Sequence, residues 1–203
     1  MKNILIIDTN AGNLFSLRSA VARLGYRVTI LPQPNDEFFD GIVIPGQGRF
    51  GSVLESLRHN HWSEYLKTAY ENRIPILGIC VGMQIFFESS EEDSEIKGLG
   101  WFDGKIESLK FPKKPMVGWA LLTSKLKNWN KVAFYFVNSF ALKSSNLSIA
   151  ETIYGEKFCA AIKSESFIGV QFHPEKSGKA GLNLIKNALI CSEKLMESSP
   201  NEK

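Results

Sequence analysis

The sequence predicts an α/β fold in three layers: a mostly parallel central sheet, helices on both faces, and additional antiparallel strands in the C-terminal half. Three observations predict it. Through the first half, short runs of consecutive apolar residues alternate with segments of helical periodicity. Those runs are apolar at successive positions rather than at every second one, as in parallel strands buried on both faces. In the second half the helical signals thin out, and strand-like runs follow one another with turns between them, which reads as strands in hairpins added to the sheet or layered on it.

Ile4 to Ile7 is the first such run and ends in Asp8. A turn through Asn10-Ala11-Gly12-Asn13 leads to Leu14, Leu17, Val21 and Leu24, which share one helical face before Gly25 stops the helix. Arg27 to Leu31 and Gly41 to Pro45 are the second and third strands, and the loop Gly46-Gln47-Gly48-Arg49-Phe50-Gly51 follows the latter. Val53, Leu54 and Leu57 mark one helix, and Tyr65, Leu66, Ala69 and Tyr70 the next. Ile74 to Leu77 is a fourth strand, and Met83 to Glu88 reads as the start of another helix. Alternation of this kind places ligands at the carboxyl ends of the strands, in the loops after Asp8, after Pro45 and around residue 80. Glu91-Glu92-Asp93-Ser94-Glu95 reads as a solvated acidic loop. Strand-like runs cover 104–109, 132–137, 147–152, 158–162 and 167–172; a helix from about 180 to 195 and a frayed tail over 198–203 close the chain.

At 203 residues, 44% hydrophobic, the chain is long enough for one sizeable core, and one domain over 1–203 is expected. Its net charge of +3 falls well short of a nucleic-acid footprint, so no nucleic-acid partner is expected. No stretch approaches the length of a bilayer span, and the N-terminal apolar run is too short for a signal peptide. Cys80, Cys159 and Cys191 cannot all pair with one another and match no zinc spacing. These features imply a reducing, cytoplasmic setting without membrane attachment, bound metal or cofactor.

Chemistry concentrates at Gly78-Ile79-Cys80-Val81-Gly82, a nucleophile between two glycines at a strand-to-helix turn. Glycines tolerate the crowding of such a turn, and a helix N-terminus favours a thiolate. A buried structural cysteine beside two packing glycines fits the pentapeptide equally well. A nucleophile needs a base, and a base an orienting group. His59 and His61 lie in a polar stretch with no carboxylate near in sequence and read as surface. His173 ends the run Ile168-Gly169-Val170-Gln171-Phe172 and precedes Pro174 and Glu175. Proline holds residue 173 extended, and Glu175 reaches the same side to accept the imidazole N–H.

The blocks Gly78-Ile79-Cys80-Val81-Gly82-Met83-Gln84 and Phe172-His173-Pro174-Glu175 resemble the class I, triad-type glutamine amidotransferases. Five further blocks, in order along the chain, narrow the resemblance to the glutaminase subunits of imidazole glycerol phosphate synthases, of histidine biosynthesis. They are Asp8 to Leu14, Pro45-Gly46-x-Gly48-x-Phe50-Gly51, Glu88-Ser89-Ser90, Gly118-Trp119, and Lys176-Ser177-Gly178 with Gly181-Leu182. The resemblance implies Cys80 as nucleophile, His173 as base and later acid, and Glu175 as orienter. It implies an oxyanion and glutamine site formed by Gly46, Gln47, Gly48, Val81, Gln84, Ser139 and Phe140. It also implies a (β/α)8-barrel synthase subunit as heterodimer partner and ammonia acceptor, with Asn13, Trp119 and Lys176 at that interface. Four positions depart from the pattern: Gln47 where an aliphatic residue is usual, Met116 and Ala120 where histidine and asparagine are expected, and Asn138 where histidine is usual. The departures motivate an alternative, a paralogue delivering ammonia to another acceptor such as a nucleotide-linked sugar. A non-catalytic module on the same fold is a further alternative, against which the intact Cys80, His173 and Glu175 argue.

Overall fold

The computed structural model describes residues 1–10, 14–110 and 113–190. The first half contains β1 (Asn3–Ile7), α1 (Phe15–Arg23), β2 (Arg27–Leu31), β3 (Gly41–Ile44), α2 (Phe50–His59), α3 (Trp62–Glu71), β4 (Ile76–Ile79) and the one-turn helix α4 (Val81–Gln84). The second half is mostly strand: β5 (Ser89–Ser90), β6 (Lys105–Ser108), β7 (Met116–Leu121), β8 (Thr123–Ser124), β9 (Ala133–Asn138), β10 (Phe140–Leu142), β11 (Ser148–Tyr154), β12 (Glu156–Ser164) and β13 (Phe167–Val170). A 3₁₀ turn (Pro174–Lys176) and α5 (Gly178–Ile190) complete the described chain. The expected end of the last helix, the 198–203 tail and Asn13 lie outside the described residues.

Among the described residues the main sheet runs β2-β1-β3-β4-β13-β12-β11-β8. Its first five strands are mutually parallel and the remaining three join antiparallel, which agrees with the predicted architecture. Every residue of β3, β4 and β13 is buried, because helices cover the centre of the sheet and no face is left for water. The helices α1 and α5 pack together, with α5 against β3 and β4, while α2 packs on α3 and α4. β13 is the strand that positions the site. It lies parallel to β4 with Val170 opposite Ile79, and the Cys80 N–H continues the ladder to the Val170 carbonyl at 2.7 Å. Residues 171–175 therefore leave the sheet beside residue 80.

Two differences from the expected elements have clear physical causes. The helix after residue 80 begins at Val81 and ends at Gln84. Beyond it, Leu99, Trp101 and Gly100 donate their N–H groups to the carbonyls of Ile85, Phe86 and Phe87, so a neighbouring loop takes the acceptors that helix continuation needs. β7 is a strand that the apolar pattern hides. It pairs antiparallel with β9, Trp119 opposite Tyr135, in a separate two-stranded ribbon. Its outward residues Val117, Trp119 and Leu121 are as apolar as its inward ones, so the polar–apolar alternation of a half-buried strand is missing. Phe134 and Phe136 anchor the ribbon on Phe172, at ring separations of 4.3 and 5.4 Å.

Candidate active site

Cys80 sits between β4 and α4 with φ 51° and ψ −113°, a region that non-glycine residues rarely occupy. The carboxyl end of β3 closes under it. A Cβ on Gly46 would lie 2.0 Å from the Ile79 carbonyl oxygen and 2.5 Å from the Cys80 Cβ, so only glycine fits there. Strain at one backbone position, costing on the order of 1–3 kcal/mol, persists only where surrounding packing over-determines it. Here β3, β4 and β13 do so.

His173 approaches from β13. Its backbone N–H donates to the Tyr135 carbonyl at 2.8 Å, and its own carbonyl accepts from the Ser177 hydroxyl at 2.7 Å. The same Ser177 oxygen accepts the Tyr135 N–H at 3.0 Å, so one serine ties the turn to β9 from both sides. Pro174 opens the 3₁₀ turn, and that turn brings Glu175 back: its carboxylate accepts the His173 Nδ1–H at 2.9 Å. Both side chains are about 95% buried, at 5% exposure each. Burial opposes a charged imidazole. The Cys80 sulfur and the Glu175 carboxylate, both interacting with the ring, outweigh it, and the His173 pKa is pushed up to about 10. The three groups expected to cooperate thus form one buried chain, thiol to imidazole to carboxylate.

Cys80 and His173 open into a cavity of about 350 Å³, while Glu175 stays bonded to the ring outside its lining. Gly46, Gln47, Gly48, Val81, Gln84, Ser139 and Phe140, all expected at the site, line it, and so does Lys176, expected at the partner interface. The Lys176 ammonium also stands 6.0 Å from the Tyr135 ring centre. Trp119 lies instead on the outer face of the β7–β9 ribbon, 58% exposed. His59 and His61 are exposed, as expected.

Three residues at the site escape a reading of the sequence. Gln171 is fully buried; its Nε2 donates to the Cys80 sulfur at 3.4 Å and its Oε1 accepts from the Gln84 Nε2 at 2.9 Å. Nothing in the local sequence separates it from any strand-end glutamine; only the β4–β13 pairing reveals it. Glu92 lines the cavity, and Asp93 lies beside it. Both belong to the acidic run expected to be solvated; Glu91, Ser94 and Glu95 are exposed as expected, whereas Glu92 and Asp93 are partly buried and correct that expectation. Glu91 accepts the Ser108 N–H, Glu92 the Phe50 N–H and Asp93 the Gly51 N–H, each at 2.9 Å. Carboxylates near unpaired helix N–H groups gain charge-assisted bonds that bulk water would otherwise supply. Among the described residues no cluster of three or more His, Cys, Asp or Glu side chains is arranged to hold a metal ion, and no helix is long and apolar enough to cross a membrane.

Residues 5–191 match the family model described as glutamine amidotransferase class-I. The chain is 40% identical over 192 residues to the protein of Carboxydothermus hydrogenoformans named imidazole glycerol phosphate synthase subunit HisH, with 90% of this chain and 96% of that one covered. The protein of the same name from Methanocaldococcus jannaschii is 40% identical over 194 residues, with the same coverage, and that from Yersinia pseudotuberculosis 38% over 196 residues, covering 92% and 98%. Among solved structures, a glutamine amidotransferase superposes with a TM-score of 0.73 at 15% identity, covering 91% of this chain and 97% of that one. PurLQS from Thermotoga maritima superposes with 0.70 at 16%, covering 93% and 98%. At these identities the superpositions speak for the fold.

Proposed function

Because the chain belongs to the class I glutamine amidotransferases, we propose that it is the glutaminase subunit of an imidazole glycerol phosphate synthase, hydrolysing glutamine and passing the ammonia to a (β/α)8-barrel synthase subunit. The reading rests above all on the meeting of Cys80 and His173 in one cavity, with Glu175 bonded to the His173 ring. The names of the relatives support the choice of this synthase over a sugar-aminating system.

The Cys80 thiolate attacks the side-chain amide carbon of glutamine. The carbonyl oxygen becomes an oxyanion, which takes N–H groups from Val81, at the start of α4, and from the 46–48 loop. The His173 imidazolium gives its proton to the amide nitrogen, the C–N bond breaks, and ammonia leaves a thioester on Cys80. Neutral His173 then takes a proton from water as the water attacks the thioester. Glutamate departs and the thiolate–imidazolium pair returns. Glu175 holds the ring in place and stabilises its charged form. Gln84, Ser139 and Phe140 seat the substrate amide, and the Glu92 carboxylate provides the cavity with a partner for the substrate ammonium.

Ammonia that escapes to water becomes ammonium and loses its nucleophilicity, so the cavity must open onto the partner. Val117, Trp119 and Leu121 form an exposed apolar stripe on the ribbon whose Val137 carbonyl lies 3.7 Å from the Cys80 sulfur. Such a stripe, beside Lys176 at the cavity, suits the docking face of a synthase subunit. The free thiol at the centre of the reaction supports a reducing, cytoplasmic location.

Glutamate release from glutamine is the test, measured for the chain alone, with the barrel subunit and its ligand, and for Cys80→Ala. Low activity alone, a large rise in the complex and none in Cys80→Ala are expected. Full activity of the isolated chain, or amination of a nucleotide-linked sugar by the co-purifying synthase, would refute the assignment.

A further inference from the structure

The loop that carries Gln47 and Gly48 is held at both ends. At one end Gly46 is packed against the Ile79 carbonyl and Cys80. At the other, α2 starts without a side-chain cap of its own: Arg49 occupies the N-cap position and makes no such bond. Helices usually satisfy their first N–H groups with a Ser, Thr, Asp or Asn at that position. Here two carboxylates more than forty residues away do it. Glu92 accepts the Phe50 N–H at 2.9 Å, and Asp93 accepts the Gly51 N–H at 2.9 Å. Arg49 closes the arrangement, with its guanidinium 2.6 Å from Asp93 Oδ1 and 3.1 Å from the Glu92 carbonyl oxygen. Only Gln47 and Gly48 separate the two anchored ends.

We propose that Asp93, through Arg49 and the Gly51 N–H, is a positioning residue for the glutaminase reaction, clamping the far end of the 46–48 loop so that its N–H groups meet the oxyanion formed at Cys80. This rests on the glutaminase reading above. A remote clamp makes the loop's geometry depend on the 90–93 segment, which a local cap would not do. Burial opposes ionisation of Asp93, but the Arg49 guanidinium and the Gly51 N–H reverse this and hold its carboxyl below the usual range, so the clamp is charged at neutral pH.

The chain bound to its synthase subunit is compared as wild type, Asp93→Ala, Asp93→Asn and Arg49→Ala, in two reactions of the same thiol. Glutamine hydrolysis passes through an oxyanion; alkylation of Cys80 by iodoacetamide does not. Asp93→Ala is expected to lower kcat for glutamine roughly tenfold, as small misplacements of a catalytic group do. KM and the alkylation rate are expected to stay within about twofold of wild type. Asp93→Asn keeps an acceptor for the Gly51 N–H but loses the charge, so its loss falls between wild type and Asp93→Ala. Arg49→Ala, whose side chain is 64% exposed, follows in the same direction and carries the test should Asp93→Ala not fold. Unchanged kcat in these variants, a raised KM with kcat unchanged, or an equal fall in hydrolysis and alkylation overturns the clamp while leaving the glutaminase reading intact. A wild-type complex that releases no ammonia overturns both.

Discussion

At the scale of the residue, the proposed mechanism depends on the His173 ring between the Cys80 sulfur and the Glu175 carboxylate. Removing the ring removes the proton carrier, whereas removing the carboxylate leaves the ring in place but less well oriented. His173→Ala is therefore expected to abolish glutamine turnover nearly completely. Glu175→Ala is expected to lower kcat by roughly two to three orders of magnitude while retaining measurable activity, read by steady-state kinetics in the complex. The raised pKa of His173 has a consequence for stability as well. The ring titrates at its ordinary 6.5 when unfolded and near 10 when folded, so the folded state binds the proton more tightly. The stabilisation it contributes is fully present below about pH 6.5 and is lost as the pH rises through about 10. The stability difference between wild type and His173→Ala in urea melts from pH 6 to 10 is expected to narrow toward the alkaline end, about the folded-state pKa; a difference that does not change with pH, or that widens, would contradict the sign.

At the scale of the element, the 3₁₀ turn Pro174–Lys176 is tied to β9 through Ser177 and packs against α5. A Cβ on Gly181, in the first turn of α5, would lie 1.8 Å from the Pro174 carbonyl oxygen, so backbone meets backbone with no side chain to yield. Gly181→Ala is expected to shift the turn and the Glu175 carboxylate with it. A stability loss of roughly 1–3 kcal/mol in urea melts should result, with a fall in kcat that exceeds any change in KM. The elbow, the glycine loop and this turn were all visible in the sequence, because each is local and marked by glycine, proline or a nucleophile. The ribbon strand Met116–Leu121 was not, since a strand with two apolar faces carries no alternation. The roles of Glu92 and Asp93 were hidden for a different reason: an acidic run looks the same in sequence whether water or a distant helix terminus receives it.

At the scale of the whole molecule, the cavity lies where the parallel strands end, and the apolar stripe of the β7–β9 ribbon stands next to it. Leu121 is 62% exposed on that stripe, and no nearby core requires it. Leu121→Lys is expected to leave folding and Cys80 alkylation unchanged. It should weaken association with the synthase subunit by about tenfold or more in titration calorimetry, because it sets an unpaired charge in an apolar contact. Unaltered affinity would move the docking surface elsewhere.

The sequence by itself determined the fold class, the alternation of strand and helix in the first half and the identity of the residues expected at the site, because buried parallel strands and turns leave local signatures in residue type and spacing. Tertiary structure decided which of these meet. Nothing near Cys80 in the chain announces Gln171 or His173 as its neighbours; the parallel pairing of β13 with β4 brings them together across some ninety positions. Nor does any local signal join Asp93 to the glycine loop. Contacts of that kind are fixed by how the sheet and its loops pack, and so belong to no single stretch of sequence.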